Sequence, residues 1–219
     1  MKTTIFSQIS IDGKLTLGAG NSSKELFTLF SNQDMKYIHL FRGKVQGIMV
    51  GKNTILTDNP FLTNRFEDNK NPIRIIPTRT LDIPLDSNVL SDQGQTIIVT
   101  TERGRDEAKI QQIRDRGKDC IICGEDEVDF VELGRQLEEN YGITDLMVEG
   151  GGFLNWHILN QDLVDEIILM QLPIIIGGSS NITLVDGEGY QELCLTKKFK
   201  VVEIQAKDNY TLMRYKKVI

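Results

Sequence analysis

The chain has 219 residues, 40% of them apolar and 26% charged, a globular composition long enough for one large domain or two small ones. Against 31 Asp and Glu stand 25 Lys and Arg, a net charge of −6, and the basic residues gather only in short clusters, Lys197-Lys198 with Lys200 and Arg214 to Lys217. That balance excludes a general binder of nucleic-acid backbones, and the composition excludes a fibrous or extensively disordered chain.

The opening MKTTIFSQIS meets Asp12 before an apolar core of signal-peptide length can form. The longest strongly apolar stretch, Ile167 to Ile176, is about half of the roughly 20 residues that cross a membrane. A cytoplasmic protein with no membrane partner is expected. Strand-like runs rich in β-branched residues begin with TTIF, and a helix follows from Asp34 to about Gly43 with His39 and Arg42 near its end. GIMV at 47 to 50 is the next strand. The segment from Gly51 to Pro72 is polar and without strong periodicity, and a connection that long in a compact domain is usually functional. IRII at 73 to 76 and TIIVT at 96 to 100 are strands, and Ala108, Ile110 and Ile113 mark a helix from Arg105 to Arg116 with Gly117 at its C-terminal stop.

CIIC follows, a lone C-x-x-C at Cys120 and Cys123 with no second Cys or His pair at zinc-ligand spacing, so buried thiols on a strand and no metal are expected. Asp129 as N-cap with Glu132 three residues on forms an Asp-led capping box for a helix that places Phe130, Leu133, Leu137 and Tyr141 on one face and ends at Gly142. DLMV at 145 to 148 is a strand, FLNWHIL has a helical pattern, and EIILMQLPIII is a long apolar strand. KFKVVEIQA and YTLMRYKK, on either side of Asp208-Asn209, form an antiparallel hairpin. Strand and helix alternate, which implies βαβ crossovers and an α/β fold in three αβα layers, with a mostly parallel central sheet and the hairpin closing it. No linker or repeat divides residues 1–219, so one domain is expected.

Two motifs and one isolated residue carry polar chemistry. VEGGGFLNW, Val148 to Trp156, puts three glycines between a strand and a helix, where open backbone N–H groups let a phosphate approach, although a tight turn without a ligand would look the same. Glu149 stands at the carboxyl end of that strand, where ligands of open α/β sheets bind. GKNTILTDNPFLTNR, Gly51 to Arg65, offers Thr54, Asp58 and Arg65 for a ribose, an amide or a phosphate, or else an Asn59-Pro60 turn with solvated charges. Arg42 is either a helix-dipole partner or a ligand contact.

The blocks ISIDGKLT, HLFR, VQGIMVGKNTILTDNPFLTNR, NPIRII, MVEGGGFLNW, LVDEIILMQLPIIIGG and VDGEGY, taken in order, resemble the reductase of riboflavin biosynthesis. In bacteria that reductase is the C-terminal domain of a bifunctional deaminase-reductase. The resemblance covers essentially the whole chain. It implies a dihydrofolate-reductase-like fold, a homodimer, and NADPH as cofactor for reducing the ribosylamino side chain of a pyrimidinone 5′-phosphate to ribitylamino. It places Thr54, Asp58 and the loop Gly150, Gly151, Gly152, Phe153, Leu154 and Asn155 on the cofactor, and Arg42, Leu62, Arg65 and Glu149 on the substrate, the two arginines at its phosphate. The loop that touches substrate in the family reads Asn21-Ser22-Ser23-Lys24 here, which puts Ser22 among the substrate contacts. Protonation of the reduced nitrogen falls to water, to Glu149 as the catalytic group, or to the substrate phosphate. The zinc deaminase signature is missing, which implies the reductase alone.

The chain departs from the family pattern at RIIPTRT, where Thr78 and Arg79 replace an Asp-Ser pair. Arg79 either reads the 2′-phosphate of NADPH or is a surface arginine. The altered N-terminal loop leaves room for rival readings, a reductase of another heterocycle such as dihydrofolate or a nucleotide-binding paralogue that has lost turnover.

Overall fold

The computed structural model describes residues 1–18, 20–66, 71–92 and 94–218, so part of the 51–72 segment, residues 67–70, lies outside the described residues. The chain divides into two compact units, one of Met1 with Lys36–Met147 and one of Lys2–Met35 with Val148–Ile219. In chain order the elements are β1 (Lys2–Ile9), α1 (Lys24–Phe27), α2 (Asn32–Arg42), β2 (Gly47–Met49), α3 (Lys52–Asp58), β3 (Ile73–Pro77), α4 (Asn88–Ser91) and β4 (Thr96–Thr100). There follow α5 (Glu107–Arg114), β5 (Asp119–Ile122), α6 (Phe130–Tyr141), β6 (Asp145–Val148), α7 (Gly152–Asn160), β7 (Glu166–Gln171), β8 (Phe199–Ala206) and β9 (Thr211–Lys217).

In the first unit the strands lie in the order β5-β4-β3-β2-β6, and the β2/β3, β3/β4 and β4/β5 pairs are parallel. Ile75, Ile76, Ile97, Ile98 and Val99 are consecutive in their strands and fully buried, as strands covered on both faces require. Each such side chain contributes about 1.5 to 3 kcal/mol of burial free energy. Pro77 sits inside the β3 pairing opposite Val99, and the ladder continues because the next N–H, of Thr78, donates to the Val99 carbonyl at 2.8 Å. The Cys120 and Cys123 thiols have their pKa pushed up to about 11, chiefly by burial, so they stay protonated and unreactive at neutral pH.

Helix α6 starts where expected, with Asp129 Oδ1 accepting from the N–H groups of Val131 and Glu132 at 3.0 Å, and stops at Gly142 with φ 64°. The reciprocal half of the capping box is absent. Glu132 turns outward to accept from Arg135 Nη2 at 2.7 Å and Gln136 Nε2 at 2.8 Å, bonds that hold its carboxyl down to about 2. The expected helix from Arg105 to Arg116 is shorter, Glu107–Arg114, because Asp106 caps it by accepting from Lys109 N. The segment after Gly51 contains α3, whose seven residues are too few for periodicity to show; Ile55 and Asp58 are its buried positions.

The second unit has the strand order β1-β7-β9-β8, with β1 parallel to β7 and the C-terminal hairpin antiparallel as expected. Strand β7 ends at Gln171, so the long apolar run after it is not all strand. Glu166, 1% exposed, accepts from Arg214 Nη2 at 2.6 Å and meets Lys2 Nζ at 2.8 Å. Burial opposes its ionisation, but the bonds from Lys2 and Arg214 outweigh it and hold the carboxyl below its ordinary range. Asp12 ties the chain after β7 back to the turn after β1, accepting from Gly177 N at 2.6 Å, Ile176 N at 3.1 Å and Ser10 Oγ at 2.6 Å. No helix among the described residues is long and apolar enough to cross a membrane. The architecture, a mostly parallel mixed sheet with antiparallel C-terminal strands, matches the expected α/β class.

Candidate active site

The candidate residues fall in both units. Thr54, Asp58, Arg42, Leu62, Arg65 and Arg79 belong to the first, and Ser22, Glu149 and the run Gly150 to Asn155 to the second.

In the first unit, β2 delivers the chain through an extended Gly51 into α3, which carries Thr54, half-buried, and Asp58, buried at its last position. Asn59 then adopts a left-handed conformation with φ 40°, and its side chain and carbonyl are held by Asn88 at 2.8 and 2.6 Å. Leu62 is also left-handed, φ 54°, and only 3% exposed. For a bulky residue that conformation costs about 1 to 2 kcal/mol and persists only where neighbours over-determine it. Those neighbours are present. His39 Nδ1 lies 3.0 Å from the Thr63 carbonyl, and Arg42 Nη1 donates to the same oxygen at 3.3 Å. Phe66 stacks at a tilt on the His39 ring, with centroids 5.2 Å apart, and Asn64 Oδ1 accepts from Phe66 N at 3.1 Å. Arg65 projects as an exposed cation from this braced segment. Arg42, Leu62 and Arg65 are thus parts of one local structure. Arg79 stands apart from it, exposed and paired with Glu127 at 2.7 Å.

In the second unit the three glycines are not equivalent. A Cβ at Gly150 would meet Asn155 Oδ1 and the Leu154 side chain at 2.9 Å, and one at Gly152 would overlap the Asp186 carboxylate and lie 2.7 Å from the Thr183 carbonyl. At Gly151 a Cβ would meet nothing within 4 Å. Only there is backbone open to a ligand. Asp186 is fixed by three bonds from Thr183, the shortest from Oγ1 at 2.6 Å, so a carboxylate already lies against the first residue of α7 and a phosphate would meet repulsion at that point. Asn155 is fully buried; its Nδ2 donates to the Leu184 carbonyl at 2.7 Å, while its Oδ1 accepts from no described residue. The open backbone at Gly151 and the Asn155 acceptor, which lies against Gly150, are the polar groups this loop offers to a ligand. Glu149 is half-buried one residue past β6. Ser22 Oγ accepts from Lys24 N at 3.1 Å and holds the start of α1.

Residues 1–213 match the model of the RibD C-terminal domain. The chain belongs to that family. Two relatives of the RibD C-terminal domain family are named 2,5-diamino-6-ribosylamino-4(3H)-pyrimidinone 5′-phosphate reductase. One, from Aquifex aeolicus, is 49% identical over 86% of this chain and 84% of its own length. The other, from Methanothermobacter thermautotrophicus, is 33% identical over 93% and 90%. Among solved structures, Acinetobacter baumannii RibD superposes with a TM-score of 0.82 at 19% identity, covering all of this chain and 58% of that one. This last likeness concerns the fold, which is dihydrofolate-reductase-like as expected.

Sequence reading missed three residues that shape these sites and one further buried polar group. His39 was noted only for its place near a helix end, and Arg74 only as part of a strand; both face backbone carbonyls that no sequence pattern announces. Asp186 was visible only as part of VDGEGY. Gln8, on β1, has a buried Nε2 with no partner among the described residues, the kind of donor a ligand can satisfy.

Proposed function

We propose that the chain is the reductase of riboflavin biosynthesis, a single domain over residues 1–219 that uses NADPH to convert the ribosylamino side chain of a pyrimidinone 5′-phosphate to ribitylamino. The observation that carries this reading is the 49% identity, over most of both chains, to the Aquifex aeolicus reductase. A nicotinamide cofactor follows from the reductase family; the choice of NADPH, the cytoplasmic location and the homodimer are parts of the proposal.

When bound, the nicotinamide supplies a hydride, which adds to C1′ of the ring-opened imine form of the substrate while the imine nitrogen takes a proton. The protein's part is to hold two flat rings at reacting distance and to keep water away. Gly151 gives the cofactor ring a backbone without side chains, and Asn155 Oδ1 accepts from its carboxamide. Thr54 and Asp58 hydrogen-bond the cofactor. Leu62 and Ser22 are substrate contacts, and Arg42 and Arg65 neutralise the substrate phosphate. Glu149 donates the proton. Arg79 reaches the cofactor 2′-phosphate by exchanging Glu127 for it, an exchange between exposed partners that costs little.

The test is cofactor oxidation, followed by absorbance, with the pyrimidinone phosphate and dihydrofolate in separate reactions and NADH as the control cofactor. Turnover of the phosphate with NADPH is expected; turnover of dihydrofolate alone would overturn the reading. Arg79→Ala should narrow the preference for NADPH over NADH, and an unchanged preference would remove Arg79 from the cofactor site.

A further inference from the structure

Arg74 lies on β3, its side chain 2% exposed, with every guanidinium N–H engaged. Nη1 donates to Asp92 Oδ2 at 2.8 Å and to the Phe61 carbonyl at 3.1 Å. Nη2 donates to Asp92 Oδ1 and to the Gly94 carbonyl, both at 2.6 Å, and Nε donates to the Gln95 carbonyl at 3.4 Å. Lys118 braces Asp92 and Gly94 as well, donating to their carbonyls at 2.6 and 2.7 Å. An ion pair whose arginine is buried and whose aspartate is partly exposed is weak evidence for net stability, since similar apolar packing often does as well. What the arrangement fixes is direction.

Of the five acceptors, four belong to Asp92, Gly94 and Gln95. The fifth, the Phe61 carbonyl, belongs to the peptide that joins Phe61 to Leu62, the buried left-handed residue. Rotation of that peptide would release Leu62 to an ordinary conformation and turn Leu62 and Arg65 away from their present directions. His39 and Arg42 hold the next carbonyl, that of Thr63. Leu62 is therefore clamped on both sides, by Arg74 before it and by α2 after it.

We infer that Arg74 is a positioning residue for substrate binding: anchored after α4, it fixes the Phe61–Leu62 peptide and so sets the path of the segment that presents Arg65 to the substrate. The activity arm of the test rests on the reductase reading, and the structural arm does not. Arg74→Lys keeps the charge beside Asp92 but has three donors for five acceptors. It should raise KM for the pyrimidinone phosphate about tenfold or more, with kcat and NADPH affinity changed by less than about threefold. Amide hydrogen exchange at residues 61–63 should accelerate while that of β4 and of β7 to β9 stays unchanged. Asp92→Asn, which leaves Arg74 its three carbonyls, should lower Tm yet leave KM and exchange at 61–63 near wild type.

An unchanged KM together with unchanged exchange at 61–63 would overturn the inference. So would faster exchange spread evenly through the first unit, the mark of a merely structural residue. Faster exchange confined to 61–63 in a protein whose wild type does not turn over the phosphate would uphold the clamp and sink the reductase reading. If Arg74→Lys does not fold, Gly94→Ala is read in the same way, because its new methyl would overlap Nη2 and displace the guanidinium without removing its charge.

Discussion

A methyl group at Gly151 meets nothing, whereas the same group at Gly152 collides with Asp186. This contrast separates open backbone from packed backbone within a single loop. Gly151→Ala should leave Tm within about a degree of wild type and weaken NADPH binding; Gly152→Ala should lower Tm by several degrees, the scale of a destabilisation of about 1 to 3 kcal/mol from overpacking. Thermal melts with cofactor titrations check both, and tight NADPH binding by Gly151→Ala would place the cofactor elsewhere. The three glycines were legible in the sequence as a backbone opening, but not which of them is open. That depends on Asp186, more than thirty positions further along the chain, and no spacing rule connects the two. Asp12 gives a second prediction. Bonds from Ser10, Ile176 and Gly177 lower its pKa from 3.8 to about 2. A carboxyl whose folded pKa is depressed contributes stability that is complete above its unfolded value and is lost as pH falls through the folded one. The stability gap between wild type and Asp12→Asn should therefore hold above pH 4 and close between pH 4 and pH 2. Urea titrations at several pH values would show it, and a gap that widens on acidification would contradict the assignment.

At the level of elements, the most legible features were those set by neighbours in sequence. Asp129 and Gly142 bracket α6 as the residue types require, and the hairpin forms around Asp208-Asn209, where Lys207 N donates to the Tyr210 carbonyl at 2.9 Å. Asp129→Ala leaves the N–H groups of Val131 and Glu132 without their acceptor and should cost about 0.5 to 2 kcal/mol in denaturant unfolding. A smaller loss would mean that water replaces the cap. The misread elements failed for a related reason. Helix α3 buries only Ile55 and Asp58, too few positions to show a helical period. Glu132 sits at the spacing of a capping box, but Arg135 and Gln136, three and four residues on, compete for its carboxylate and win.

For the molecule as a whole, the feature that bears on the homodimer proposal is β8, the last strand of the second unit's order. Val201 is 56% exposed, Ile204 63%, and Leu193 in the short turn before it 83%. Long apolar edges left open invite strand pairing, and natural proteins cover or charge them. In the proposed homodimer a second copy would cover this edge by antiparallel pairing of β8 about a two-fold axis. Sedimentation should give the mass of two chains at micromolar concentration, and the pair Val201→Lys with Ile204→Lys should give one. A wild-type mass of one chain would end the homodimer proposal. The fold class was legible because alternating apolar runs report it directly; the division into two units was not, since composition does not change at Lys36 or Met147.

The order in which a ribosome releases the chain bears on that division. Apart from Met1, the first unit is one continuous run and is complete once Met147 has emerged. The second cannot form until β7 arrives, because β1 pairs with β7 and Thr3 N donates to an Asp165 carboxylate oxygen 162 residues away. Through most of synthesis β1 therefore waits for β7, with Ile5, Phe6 and Ile9, all destined for burial, open to other chains. Nascent-chain aggregation and chaperone capture would accordingly concentrate on β1 until the later strands emerge.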